Sequence, residues 1–243
     1  MKKILLIGAS GNLGSTIIKS KLFKNITFPS KKKLNLLNKN NIKNYLNKKF
    51  DLIINCSGYP RIRDCENNAL KSFELNYLTV KNLIDEIKIH NKNLRLIHIS
   101  TDAVYGSLKG NYLETDNYNP KTFYGVCKVL SELQVKGLNN YCIIRTRFFS
   151  SKKFLYKNAA TDIFSSMIEI QKLAKVIYGL SFSDFKGTIN VGEKRESDYS
   201  FLKKYFKKLK KTSRGKIQRK KNFFITKDAS LNLQKFDKLK IRI

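Results

Sequence analysis

Apolar positions along this chain follow two rhythms. Short apolar runs occur in "KKILLIGASG", "FDLIINCSG", "LRLIHISTD" and "NYCIIRT", with a shorter one at "ITF". Each run ends in glycine or small polar residues, the pattern of a strand buried on both faces. Between the runs the apolar residues recur at helical spacing, in "NLGSTIIKSKLF", "ALKSFELNYLTVKNLIDEIKIH" and "YGVCKVLSELQVKGL". The stretch "KLNLLNKNNIKNYLNKKF" predicts a short extended piece leading into a polar helix. Strands alternating with helices predict an α/β fold with a parallel sheet wound on both faces. No internal repeat or low-complexity linker interrupts it.

The length, 243 residues, suits one domain, or one domain with a small lobe, and is enough to bury a real core. No apolar run approaches the ~18 residues of a membrane span. The opening "MKKILLIGASG" imitates a signal peptide, but its apolar run is short and meets glycine at once, so a buried strand explains it better. Cys56, Cys65, Cys127 and Cys142 show no C-x-x-C spacing, and there are only two histidines. No metal site is expected, and reduced thiols in a cytoplasmic protein are the plain reading.

The formal charge of +31 raises nucleic acid or an anionic surface as a partner. The excess is built from 40 lysines against 9 arginines, beside 24 asparagines. That is what AT-rich codons produce, and arginine, the preferred base reader, is scarce. The composition therefore argues against nucleic acid, while a basic surface still attracts anionic small molecules.

Candidate chemistry gathers where strands end. Gly8, Gly11 and Gly14, with Ser10, Asn12 and Leu13 between them, form a G-x-x-G-x-x-G turn between a predicted strand and a predicted helix. Glycine permits a tight turn and close backbone approach, so the helix N-terminus can face a pyrophosphate. This makes the sheet Rossmann-type. Two further strand ends carry Cys56, Ser57 and Gly58, and Ser100 and Thr101. In such sheets ligands bind beyond the carboxyl ends of the strands. The next helix begins with Tyr124 and Lys128, one turn apart. In a lysine-rich chain that spacing alone is equally that of two helical neighbours. No acid occurs before Asp51, so the carboxylate that usually bonds the ribose 2′-hydroxyl of NAD is missing. "SKKK" (30–33) offers ammonium groups in that region instead, predicting a preference for NADP(H), with NAD(H) as the other candidate.

"GASGNLG", "INCSGY", "ISTDAVYG" and "YGVCK", in this order, resemble an extended short-chain dehydrogenase/reductase, closest to the dTDP-4-dehydrorhamnose reductase branch. The resemblance covers residues 1 to about 150 well and the remainder loosely. It implies a dinucleotide-binding domain over 1–150 and a reduced substrate lobe with a basic tail over 151–243. It further implies a catalytic triad of Thr101, Tyr124 and Lys128 acting on a nucleotide-sugar substrate. Thr101 would hold the carbonyl, Tyr124 would donate the proton, and Lys128 would lower the tyrosine pKa while bonding the nicotinamide ribose. Asn35 and Leu36 inherit a place near the adenine, and Asp64 and Glu66 fit a familiar acidic pattern.

Ala103 after Asp102 removes the partner acid that sugar-nucleotide 4,6-dehydratases use, so reduction or epimerisation fits and dehydration does not. Asp102 otherwise reads as a helix or turn cap. Ser166-Met167-Ile168 stands where the family has Ser-Pro-Thr at the substrate pocket, and a helix-strand insertion is largely missing. The tail from 201 to 243 carries 16 Lys or Arg against Asp228 and Asp237, and reads as a solvated face or as a polyanion-docking face. A nucleotide-sugar reductase is expected. A sugar-nucleotide epimerase and a non-catalytic cofactor-binding subunit stay open, as does a homo-oligomer.

Overall fold

The computed structural model describes residues 1–91, 93–153 and 157–241. Six strands form the central sheet: β1 (Ile4–Ile7), β2 (Ile26–Thr27), β3 (Leu52–Asn55), β4 (Arg95–Ile99), β5 (Tyr141–Arg145) and β6 (Gly187–Asn190). Their order is β6-β5-β4-β3-β1-β2, and every neighbouring pair is parallel. Parallel neighbours require crossovers. The principal helices are α1 (Asn12–Lys19), α2 (Lys39–Leu46), α3 (Thr79–His90), α4 (Phe123–Lys136) and α5 (Ile170–Phe182).

The apolar runs are unbroken because both sheet faces are covered. Ile4, Leu6, Leu52, Ile54, Ile97 and Ile144 pack against Leu13 and Ile17 of α1 and Leu173, Ile177 and Leu180 of α5. Alternate residues Leu5, Ile7, Ile53, Leu96 and Ile143 pack on the other side against α2, α3 and Val135 of α4. Each such aliphatic side chain contributes about 1.5–3 kcal/mol on burial. β1 lies between β2 and β3, where the direction of the connections reverses. That reversal opens a crevice at the strand carboxyl ends.

Three expectations are corrected. "KLNLL" forms no strand: the Lys33 and Leu34 amides both donate to the Ser30 carbonyl, a turn that removes them from any ladder. Leu34 and Leu36 instead anchor that turn in the core. The long helix before β4 is interrupted, running Ala69–Phe73, then a π-helical turn at Glu74–Leu78, then α3. The division at residue 150 also cuts through the Rossmann unit. α5 belongs to its core and β6 pairs along its length with β5, from Gly187 opposite Cys142 to Asn190 opposite Arg145. The lobe is built from what lies on either side of that unit, around a small cluster of Phe149, Ala159, Met167, Phe201, Leu202 and Leu209. Among the described residues no helix is long and apolar enough to cross a membrane.

Candidate active site

The glycine turn and the β3 strand end interlock. Gly8 has φ +85°, and a Cβ there would lie 2.6 Å from the Ser57 amide nitrogen. Gly14 lets α1 sit directly on the Gly8 carbonyl. Protein packing alone thus explains both glycines. Gly11 is different, because a Cβ there would meet only the Gly8 carbonyl oxygen, at 3.2 Å. Ser10, Gly11 and Asn12 are exposed, while Leu13 points into the core. Gly11 opens α1, and no side chain caps that helix end. An exposed, uncapped helix N-terminus of eight residues beside open space suits an anion such as a pyrophosphate.

Local interactions place the Tyr124 helix. The Thr122 hydroxyl accepts from the Gly125 amide at 3.1 Å, and the Glu66 carboxylate accepts from the Phe123 amide at 2.7 Å. Gly125 has no Cβ to meet the Ala103 carbonyl, which would lie 2.5 Å away, so α4 presses against the turn following β4. The Tyr124 and Thr101 hydroxyls consequently lie close enough to influence each other. Lys128, buried one turn along, donates from Nζ to the Ile99 carbonyl at 2.8 Å and lies 3.2 Å from His98 Nε2. Thr101, Tyr124, Lys128, Cys56 and the glycine turn therefore converge at one end of the sheet.

The electrostatics differ from the expected tuning. Burial pushes the Tyr124 phenol well up from its ordinary value, only partly countered by the Thr101 hydroxyl. Asp102 and Cys65 push it further in the same direction. Burial lowers Lys128 itself to about 8, opposed chiefly by Glu132. Cys56 is pushed up to about 12 by burial, with Lys128 opposing. The lysine spends its hydrogen bonding on β4.

Several structural contributors were absent from the motif reading. Glu132, one turn beyond Lys128, pairs with Arg145 at the end of β5 through bonds of 2.7, 3.1 and 3.1 Å. Both side chains are buried, at 0% and 1% exposure. The same carboxylate accepts from Ser100 at 2.5 Å and Tyr118 at 2.8 Å. Arg145 lies between the Tyr105 and Tyr118 rings, 4.9 Å from each, and donates to the Tyr105 hydroxyl at 2.6 Å. Asn76, in the π-helical turn, accepts from the Tyr59 amide at 2.7 Å and donates to its carbonyl at 3.1 Å, fixing the loop after β3. The available signal was a polar residue inside an apolar run: Asn55 in "LIIN", His98 in "LIHI" and Arg145 in "CIIR".

Other predicted positions fall as follows. The side chain of Leu36 is committed to the core and its carbonyl accepts from Asn82, while Asn35 is half-buried. Lys31, Lys32 and Lys33 are exposed on the turn after β2, at the same sheet end as the glycine turn. Asp102 does not cap: the Thr101 hydroxyl accepts from the Ala103 amide, and Asp102 accepts from that hydroxyl at 3.1 Å. Burial raises the Asp102 pKa, with Arg147 opposing. Ser166, Met167 and Ile168 are all buried, with Met167 in the lobe cluster and Ile168 in the main core. The tail is partly structural, since Phe236 enters the main core and Leu231 packs with Val104, Tyr105 and Tyr112. Among the described residues no group of His, Cys, Asp and Glu could hold a metal ion.

The sequence pattern of the RmlD substrate binding domain matches residues 1–177. The spore coat polysaccharide biosynthesis protein SpsK of Bacillus subtilis is 26% identical over 181 residues, covering 70% of this chain and 59% of that protein. The chain thus spans about three fifths of that relative's length. A dTDP-4-dehydrorhamnose reductase from Bacillus anthracis, solved in complex with NADP, superposes with a TM-score of 0.88 at 21% identity. That superposition covers 99% of this chain and 94% of the other and speaks to the fold. A hypothetical dTDP-4-dehydrorhamnose reductase from Sulfolobus tokodaii, 27% identical, gives a TM-score of 0.82 over 98% and 94% of the two chains.

Proposed function

Because this chain belongs to the RmlD substrate binding domain family, we propose that it is an NAD(P)-dependent reductase of a nucleotide-activated keto-sugar, similar to dTDP-4-dehydrorhamnose reductase. The observation that carries the reading is the meeting of the Tyr124–Thr101 hydroxyl pair and buried Lys128 with a glycine turn that leaves a helix N-terminus open. The donor set fits a dinucleotide. Backbone amides opening α1 would hold the pyrophosphate, with Gly11 leaving room, and Cys56–Gly58 would border the cofactor. When bound, the nicotinamide supplies hydride to the carbonyl carbon.

The chain's own residues supply the proton. Tyr124 would donate to the carbonyl oxygen, and Thr101 would join it by turning its hydroxyl proton from Asp102 to the substrate. Burial keeps the phenol protonated, so the donor is in place as the oxygen gains charge. Proton donation by a positioned group contributes about 10²–10⁴-fold. An ammonium at Lys128 would favour the phenolate left behind. The basic surface would raise the local concentration of an anionic nucleotide sugar.

The test is oxidation of NADPH and NADH by the purified protein with a panel of nucleotide-linked 4-keto-sugars. Tyr124→Phe should lose at least about 10²-fold in kcat while retaining the fold and most cofactor affinity. Near-normal turnover in that variant would sink the assignment. Interconversion of sugar epimers without net cofactor oxidation would identify an epimerase instead.

A further inference from the structure

The polar residues buried beneath the triad obey a strict donor and acceptor grammar. Asn55, at the end of β3, is wholly buried. Its Oδ1 accepts from the Ser57 backbone amide at 3.0 Å and from the Ser57 hydroxyl at 2.6 Å. A backbone N–H can only donate, so the Asn55 carbonyl oxygen must face Ser57 and its NH₂ must face the other way. There it meets His98 Nδ1 at 3.3 Å, which must therefore be the accepting nitrogen. A neutral imidazole has one acceptor and one N–H, so the proton sits on Nε2. The atom facing Nε2, at 3.2 Å, is Lys128 Nζ.

An ammonium cannot accept that hydrogen bond, whereas an amine can. Two independent observations agree with the amine. Lys128 is 3% exposed, and among the described residues no carboxylate makes an ion pair with it. The nearest acid on its helix, Glu132, is already engaged by Arg145, Ser100 and Tyr118. A buried charge without a partner is costly. We propose that His98 is a positioning residue that, as its Nε2–H tautomer, donates to Lys128 and holds it as a neutral amine.

The groups facing Lys128 are His98 from β4, Cys56 from the end of β3, and Cys127 and Glu132 from its own helix. Burial, partly offset by Glu132, Cys56 and Cys127, lowers Lys128 to about 8, and the donor on His98 works in the direction of burial. Burial and Lys128 together hold His98 well below its ordinary value, which keeps the ring neutral. The chain of bonds Ser57–Asn55–His98–Lys128 ties the lysine's protonation to the loop after β3. In the reaction, which rests on the reductase reading above, protonation of Lys128 becomes a separate step required before the phenolate can be favoured.

The experiment is two-bond ¹H–¹⁵N NMR of the imidazole rings in nucleotide-free protein at pH 7. Only two histidines are present, so His90→Gln identifies the His98 signals. The expected pattern is the neutral Nε2–H tautomer, with a shift on lowering pH that tracks protonation of Lys128 and vanishes in Lys128→Met. A neutral Nδ1–H tautomer or an imidazolium would overturn the proposal. These spectra need no turnover, so they decide it even if no keto-sugar is reduced and the reductase reading fails. Where turnover is found, His98→Gln can turn its amide oxygen toward an ammonium. It should move the alkaline limb of kcat/KM upward by about one pH unit, a tenfold change in proton concentration. A folded His98→Gln protein with an unmoved or lowered limb counts against the proposal.

Discussion

Replacing Glu132 with glutamine removes one charge from the centre of the molecule while keeping its shape. Glu132 and Arg145 are 0% and 1% exposed, and the carboxylate receives three bonds from the guanidinium and two more from Ser100 and Tyr118. Arg145 then keeps the glutamine amide oxygen, the Tyr105 hydroxyl, the Glu114 carbonyl at 3.2 Å and two aromatic faces. None of these neutralises its charge. Removing one partner of a buried pair costs about 3–5 kcal/mol, because the other charge is left buried without compensation. For a chain of this length each kcal/mol shifts the unfolding midpoint by about 2–4 °C, so Glu132→Gln should melt roughly 6–20 °C lower. The pair also joins α4 to the ends of β4 and β5, so the Tyr124–Thr101 alignment should loosen and kcat fall in the protein that remains folded. Urea unfolding and calorimetry of both proteins measure the loss directly. A destabilisation below about 1 kcal/mol, in the range of an exposed ion pair, would refute the reasoning. The double variant Glu132→Leu with Arg145→Met should recover much of the stability without recovering activity.

Further outcomes follow from the same geometry. Gly11→Val should weaken dinucleotide binding with little effect on stability, since only the Gly8 carbonyl lies near its Cβ. Gly14→Ala should instead destabilise the fold by crowding that carbonyl; the reverse pattern, measured by cofactor titration and melting, would refute the assignment of Gly11 to the phosphates. Changing Lys31, Lys32 and Lys33 together to serine should erode a preference for NADPH while sparing NADH, and that preference should shrink with salt because the turn is exposed; tighter NADH binding by the unmodified protein would show the inference wrong. Because Lys128 must carry a proton to favour the phenolate, kcat/KM should fall as pH rises, with its limb at or below about 8 rather than near the ordinary 10.5; a flat profile through pH 10 would exclude that role.

Much of this protein could be read along the chain. The apolar runs and glycine turn are local features, and they marked β1, β3, β4 and β5 because strands buried on both faces are mostly apolar throughout. The places of Thr101 just after β4 and of Tyr124 at the start of α4 were legible because strand ends and helix starts carry local signals. Other features depended on contacts between distant residues. Gly187–Asn190 reads as an ordinary short segment, and only its pairing with β5 makes it the edge of the main sheet. "KLNLL" has the composition of a strand, but a turn claims its amides. Leu36 is expected near the adenine from its position, and its side chain packs into the core. The motif predicted that Lys128 would act on Tyr124, four residues away. The structure also sets its Nζ beside His98 and Ile99, residues about thirty positions distant in the chain. Spacing along a helix determines which side chains are neighbours. The charge a neighbour carries is decided by burial and by hydrogen-bond partners that only the folded chain assembles.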